Sequence, residues 1–436
     1  MTHRSTSAPL WRSSAIDARR GGAPQQFRLP FSSTMDTVII GAGQAAAQLI
    51  DSLRRRGHTG RISLVSDESL PYQRPPLSKK YLAGEVGLDR LQLRHQAYYR
   101  EHEIDLYLGR RALEIDRGAR EVQLDDGQRL RYDTLVLATG SEPRRLELPG
   151  ASLAGIHYLR NLADADRLRS EVQAGKCATI IGGGYVGLEV AATLRQLGME
   201  VIVFEMAERV MNRVVAEPVS RYYERAHASH GVRIELGITV HGLHSAAGSR
   251  VTWIETNRGD FATDLVVVGV GVKPADTLAR NAALTCDNGI VVDAFCRSSD
   301  ENIYAIGDCS NQHSKHYGRR IRLESVDNAF EQANTAAASI IGAPVEHDRI
   351  PWFWSDQYHH KLLIVGLADG FDQLVLRGDP AEHSFSCCYL RAGELVAIET
   401  VNMAKDQMAA RKLIAARMHP DITKLADIRI ALKDCI

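Results

Sequence analysis

Thr37-Val38-Ile39-Ile40-Gly41-Ala42-Gly43-Gln44-Ala45-Ala46 is the stretch that decides the fold. A run of β-branched residues predicts a short buried strand, and it breaks into a Gly-x-Gly-x-x-Ala turn. A helical stretch, 46–56, follows and stops at Gly57. Residues 61–65 then read as a second strand, with Asp67 and Glu68 just beyond it. The same order recurs further along. Residues 178–181 lead into Gly182-Gly183-Gly184-Tyr185-Val186-Gly187, a helix from about Leu188 to Leu197, then a strand over 200–204 and Glu205.

One such turn is weak evidence. Two of them, each between a strand and a helix and each followed by an acid past the next strand, predict two dinucleotide-binding units. Gly41 and Gly182 allow the tight turn. Gly43 and Gly184 let the backbone approach a pyrophosphate. Ala46 and Gly187, at the third position, permit close packing of helix on strand. The free N–H groups of each helix start then face the phosphates.

The acids speak to which nucleotide binds. Glu205 ends a strand, where a carboxylate accepts hydrogen bonds from a ribose 2′-OH and repels a 2′-phosphate. NADH is therefore expected over NADPH at the second turn. Arg209 and Arg213 nearby count against strict selectivity, because an arginine can take the phosphate. At the first turn Asp67 is the ribose candidate and Glu68 the alternate.

The rest of the chain bounds the function class. It has 436 residues, material for about three domains. Lysine plus arginine and aspartate plus glutamate number 53 each, so the net charge is zero. A globally basic nucleic-acid binder is not expected, and no apolar run is long enough for a membrane span. The seven cysteines are odd in number and form no C-x-x-C pair. This speaks against a disulfide scaffold, a metal site and a dithiol redox centre, and fits a reducing cytoplasm. Each cysteine reads as a small buried hydrophobe. The adjacent His359 and His360 lack ligand spacing and read as surface residues. Residues 1–34 are arginine- and serine-rich and nearly free of acids. They read as a disordered or mis-assigned leader, with a targeting peptide as the alternative.

Three more runs end in small residues or an acid: 135–140 with Thr139 and Gly140, 266–271, and 303–308 ending in an exposed Asp308. Each fits a core strand, and the first two fit crossings between two halves. Together with Arg74-Pro75-Pro76-Leu77-Ser78-Lys79, Gly187-Leu188-Glu189, Ile306-Gly307-Asp308-Cys309, Leu323-Glu324-Ser325-Val326-Asp327-Asn328-Ala329 and Pro351-Trp352-Phe353-Trp354-Ser355-Asp356-Gln357, they carry a resemblance. From Met35 nearly to the C-terminus the chain resembles the two-dinucleotide flavoproteins that include glutathione reductase. It is most similar to the FAD- and NADH-dependent ferredoxin reductases of bacterial oxygenase systems, the biphenyl and anthranilate dioxygenase and putidaredoxin reductase type.

The resemblance implies an α/β fold with two Rossmann-like domains and a C-terminal α+β domain. An FAD-binding domain over 35–144 and 273–345 would hold an inserted NAD-binding domain, 145–272, and be followed by an interface domain, 346–436. FAD would contact Gly41, Gly43, Ala45, Ala46, Asp67, Lys79, Ala112, Thr139, Gly140, Arg160, Asp308, Val326 and Trp354. NAD would contact Gly182, Gly184, Gly187, Glu205 and Arg213. Lys79 and Glu189 would pair beside the flavin ring as the catalytic residues. Taken on its sequence context alone, Arg160 reads as a surface residue, whereas Glu189, in an apolar helix, must be paired or protonated. Disulfide reductases of the superfamily need a cysteine pair after the second strand; this chain has residues 75–82 there and no cysteine. Electrons would pass from NADH to FAD and then singly to a [2Fe-2S] ferredoxin that supplies a ring-hydroxylating dioxygenase or a cytochrome P450. The basic clusters 54–56, 319–322 and 411–412 could steer an acidic ferredoxin or be plain solvated surface. The competing readings are a rubredoxin reductase, an NADH oxidase, or a redox sensor of the apoptosis-inducing-factor type. Zero net charge and the Trp-Phe-Trp-Ser-Asp-Gln segment count against the sensor.

Overall fold

The computed structural model of the protein describes residues 34–436. The leader expectation falls on residues that lie almost wholly outside that range.

Two five-stranded parallel sheets repeat one plan. In the first, the order is Ile303–Ala305, Thr134–Leu137, Thr37–Ile40, Ile62–Ser66, Ile104–Leu108. In the second it is Val232–Leu236, Glu200–Glu205, Cys177–Ile181, Leu265–Val268, Ile156–Tyr158. The strand before each glycine turn sits at the centre, with the next strand on one side and a later one on the other. Strand order therefore reverses at both turns, which is where open α/β sheets bind ligands. All four residues of Thr37–Ile40 and of Leu265–Val268 are buried, as parallel strands covered on both faces require.

The helices Gln44–Arg55 and Tyr185–Gln196 begin two to three residues earlier than the sequence pattern places them. The apolar period marks only core-facing residues, and the first residues of each helix face a cleft instead. Gly43 and Gly184 are extended N-caps that lead straight into the first helical turn.

Just past the two runs read as crossings, Ser141–Pro143 and Val272–Pro274 pair as a two-stranded antiparallel ribbon. The C-terminal unit is a five-stranded antiparallel sheet. Four of its strands are His360–Gly366, Gln373–Asp379, Ser384–Arg391 and Glu394–Val401. The fifth, Trp352–Gln357, is an edge strand. Helix Ala404–Ala415 covers this sheet. Arg377, almost fully buried, ties the final segment down, donating to Asp406 and to the carbonyls of Asp427 and Ile430. Among the described residues no helix is long and apolar enough to cross a membrane.

Candidate active site

Both glycine turns use a backbone conformation that a side chain would spoil. Gly41 has φ +101°, and a Cβ there would stand 2.2 Å from the Ala138 carbonyl oxygen. Gly182 has φ +109°, with the Gly269 carbonyl oxygen 2.4 Å from such a Cβ. At Gly43 and Gly184 a Cβ would meet nothing within 4 Å. Neither helix start carries a side-chain cap. Each turn therefore presents unsatisfied N–H groups, at the positive end of a helix dipole, to open space. A dinucleotide pyrophosphate fits this cradle by charge and by shape.

The first turn opens into a deep cleft. Its walls are Gly41–Ala45, Asp67 and Glu68, Arg74 and Pro75, Leu77–Lys79, Ala138–Gly140, Arg160, Tyr185, Glu189, Asp308, Val326, Phe353 and Trp354. Of the residues expected at FAD, two are not at its surface. Ala46 is fully buried beneath the turn, as its packing role requires. Ala112 starts a separate strand, Ala112–Asp116, packs against the core below, and does not line the cleft.

Several side chains depart from their sequence reading. Asp308 is half-buried rather than exposed: it accepts from Ser141 Oγ at 2.8 Å and from Arg160 Nη2 at 3.3 Å. Arg160 is accordingly a cleft residue and not a surface one; burial pulls its guanidinium below the usual range, and Asp308 opposes that. Glu68 is committed to Arg74, 2.5 Å away, and to the Tyr72 hydroxyl. Asp67 is more exposed and pairs with Arg111 at 3.0 Å, which leaves it the freer of the two acids at the cleft. Val326 opens helix Val326–Ile340 behind the N-cap Ser325, with its N-terminus turned to the cleft.

Glu189 is 6% exposed and is fully provided with partners. Lys79 Nζ lies 2.6 Å from its Oε2, Ser78 Oγ donates at 2.7 Å, and Ser355 Oγ donates to Oε1 at 2.7 Å. Lys79 is held there by the one-turn 3-10 segment Pro75–Ser78. The pair joins the first half of the chain to the helix of the second glycine turn. Ser78 and Ser355 were not singled out from the sequence; both lie inside quoted motifs, and only the fold brings them onto one carboxylate. Tyr185 was also missed. It lines the cleft and packs on Phe353 with ring centroids 4.8 Å apart.

At the second turn, Glu205 folds back on its own loop, accepting from Gly183 N at 2.8 Å and Ala207 N at 2.9 Å. Arg209 is not available to a phosphate as the sequence allowed, because it donates to the Val215 carbonyl at 2.8 Å and the Asn212 carbonyl at 2.9 Å. Arg213 is exposed. Gly187 packs as expected: a Cβ there would meet the Gly182 carbonyl oxygen at 2.2 Å.

No cysteine lines the cleft. Cys309, beneath its floor, donates to the carbonyls of Leu137 and Ile306, and burial pushes its thiol up. Cys177 and Cys286 are half-buried and the other five are buried. His360 is not the surface residue expected. It is buried against Tyr222, whose hydroxyl lies 2.7 Å from Nδ1, while His359 is exposed. Much of the expected basic surface is spent locally. Arg54 donates to three backbone carbonyls within 3.0 Å, Arg319 pairs with Asp369, Arg322 with Glu324, and Arg411 with Asp327.

Comparison with known proteins agrees with this architecture. Residues 35–336 match the family described as pyridine nucleotide-disulphide oxidoreductase, and residues 352–436 match one described as reductase C-terminal. Rhodocoxin reductase of Rhodococcus erythropolis is 43% identical over 92% of this chain and 94% of its own length. The ferredoxin–NAD(+) reductase component of the anthranilate 1,2-dioxygenase system of Burkholderia cepacia is 42% identical over 91% and 98%. The solved covalent complex of putidaredoxin reductase with putidaredoxin superposes with a TM-score of 0.89 at 39% identity, over 92% of this chain and 98% of that one. The chain belongs to the pyridine nucleotide-disulphide oxidoreductase family, in its ferredoxin reductase branch. It is an oxidoreductase, and its cofactors are FAD and a nicotinamide dinucleotide.

Proposed function

We propose that this protein is an NADH:ferredoxin oxidoreductase that passes electrons through FAD to a small [2Fe-2S] ferredoxin serving a ring-hydroxylating dioxygenase or a cytochrome P450. One observation carries the reading: a Lys79–Glu189 pair stands in a cleft free of thiols, between the two glycine turns. When bound, FAD supplies the chemistry of accepting a hydride from NADH and releasing electrons one at a time. The chain's own residues supply position and field. The first turn and the start of the Val326–Ile340 helix would hold the cofactor's negative groups. Lys79 would favour the electron-rich reduced ring, and Glu189 would hold the lysine in place. Thr139, Gly140, Arg160 and Asp308 would line the cofactor's midsection. Glu205 would take the NADH ribose, with Arg213 alongside. The three-part division at about 144, 272 and 345 fits the two parallel sheets and the C-terminal sheet. Seven free cysteines accord with a cytoplasmic site.

NADH-dependent cytochrome c reduction, measured with and without an oxygenase-type [2Fe-2S] ferredoxin, tests this. Stimulation of about tenfold or more is expected, on the ordinary scale of a positioned partner. A flavin that NADH bleaches but no such ferredoxin discharges would refute the reading and favour the oxidase.

A further inference from the structure

Glu399 lies on the C-terminal sheet, in strand Glu394–Val401, 1% exposed, and none of the chemistry above uses it. Its in-sheet neighbours are Ile364 and Cys387. Its Oε2 accepts the Ala216 N–H at 2.9 Å. Ala216 is the N-cap of helix Glu217–Ser229 and has no side-chain oxygen with which to cap it. A carboxyl from another sheet thus sits at the positive end of this helix.

The segment 206–216 that ends at this contact touches the site at two other points. Met211 N donates to the Gly183 carbonyl at 2.9 Å, inside the second glycine turn. The Tyr185 hydroxyl donates to the Val214 carbonyl at 3.4 Å. Arg209 braces the segment from within through the Val215 and Asn212 carbonyls. One short segment therefore joins the nucleotide turn, an aromatic wall of the cleft and the C-terminal sheet, and Glu399 anchors its far end.

We propose that Glu399 is a positioning residue for the nicotinamide nucleotide: from the C-terminal sheet it docks the 206–216 segment against the second glycine turn and so sets the affinity for NADH. The proposal rests on NADH binding at that turn. Its regulation by pH follows from the surroundings. Tyr389 and Cys387 on the neighbouring strand, Tyr185 on the glycine-turn helix and Arg209 on the segment are the titratable and charged groups that face it. Burial pushes the Glu399 carboxyl up to about 7, opposed by Tyr389, the Ala216 N–H and Arg209. A carboxyl whose docked value stands above its ordinary one is bound more tightly to its proton when docked. Docking is thus favoured below about pH 7 and weakens as pH rises through it.

Steady-state kinetics of the FAD-loaded enzyme with NADH and a small-molecule electron acceptor, from pH 6 to 8.5, test this. Glu399→Leu removes the acceptor and is expected to raise KM about tenfold at every pH with kcat within about twofold, the signature of lost ground-state binding. Glu399→Gln imitates the protonated form. It is expected to match the wild type at pH 6 and to hold that KM at pH 8.5, where the wild-type KM has risen about threefold. An unchanged KM in Glu399→Leu, or a wild-type pH rise retained in Glu399→Gln, would overturn the inference alone. A wild type that NADH does not reduce would overturn the nicotinamide reading and this inference together.

Discussion

Gly41 and Gly182 stand at equivalent corners of the two parallel sheets, with nearly the same φ and the same close approach of a carbonyl just past a neighbouring strand. What surrounds them differs. The first turn looks into a cleft closed by segments from eight other parts of the chain, including both halves and the C-terminal sheet. The second is bordered mainly by its own acid, Glu205, and by the 206–216 segment. Similar backbone chemistry stands in a many-walled cleft once and beside one acid and one short segment once. On the proposed function, the first turn would hold a cofactor that stays and the second a nucleotide that arrives and leaves at every turnover. The halves also meet the C-terminal sheet differently. The first does so through Asp327, which takes Trp352 Nε1 at 2.7 Å and Arg411 at 3.1 Å. The second adds to its Glu399 and Ser355 contacts two neutral histidines, His360 on Tyr222 and His227 on Gln357.

The largest effect is expected from Gly41→Ala. A Cβ 2.2 Å from a carbonyl oxygen at φ +101° forces the turn open. The purified variant should retain less than about a tenth of its flavin, since the cradle itself is displaced; the flavin-to-protein absorbance ratio measures this. Lys79→Met should come next. It leaves Glu189 buried with two hydroxyls and no cation, at a cost of about 3 kcal/mol in denaturant unfolding. Flavin reduction by NADH should slow about tenfold, readable by anaerobic stopped flow.

Acid should separate the two attachments. Burial holds His227 and His360 down to about 4, below the ordinary 6.5. Groups depressed on folding contribute stability that is present above their unfolded value and lost as pH falls from 6.5 towards 4. Unfolding followed at pH 7, 6 and 5 should show stability dropping by about 2 kcal/mol for each such ring over that window, with His58 and His347, also held down to about 4, adding to the drop, and His227→Gln should flatten part of it. A flat profile would mean that the second half is not held by these neutral rings. The smallest effect is expected from Glu205→Ala. With its flavin content unchanged, KM for NADH should rise about tenfold, and the preference over NADPH should shrink. Loss of flavin instead would erase the distinction between the turns.

Much of this was legible in the chain. The strands before both turns, the acids after them and the missing thiol pair follow from β-branched runs, glycine spacing and a cysteine count, all local signals. Helix starts were read late because period detects burial, and Gln44 and Tyr185 face the cleft. Asp308 and Arg160 were misjudged from their context because each is sheltered by the other across long sequence separation. Ser355, Glu399 and His360 depend on which strand faces which helix. No spacing in the sequence states that Ser355 reaches Glu189 or that Glu399 reaches the Ala216 N–H.

On the proposed function the two turns divide the work, one holding FAD and the other receiving NADH. Gly182→Ala tests it most directly, read by flavin absorbance before and after anaerobic addition of NADH. The prediction is a full flavin complement whose bleaching is slowed about a hundredfold, because only the exchanging nucleotide loses its turn. A variant that loses its flavin, or one that bleaches at the wild-type rate, would contradict it.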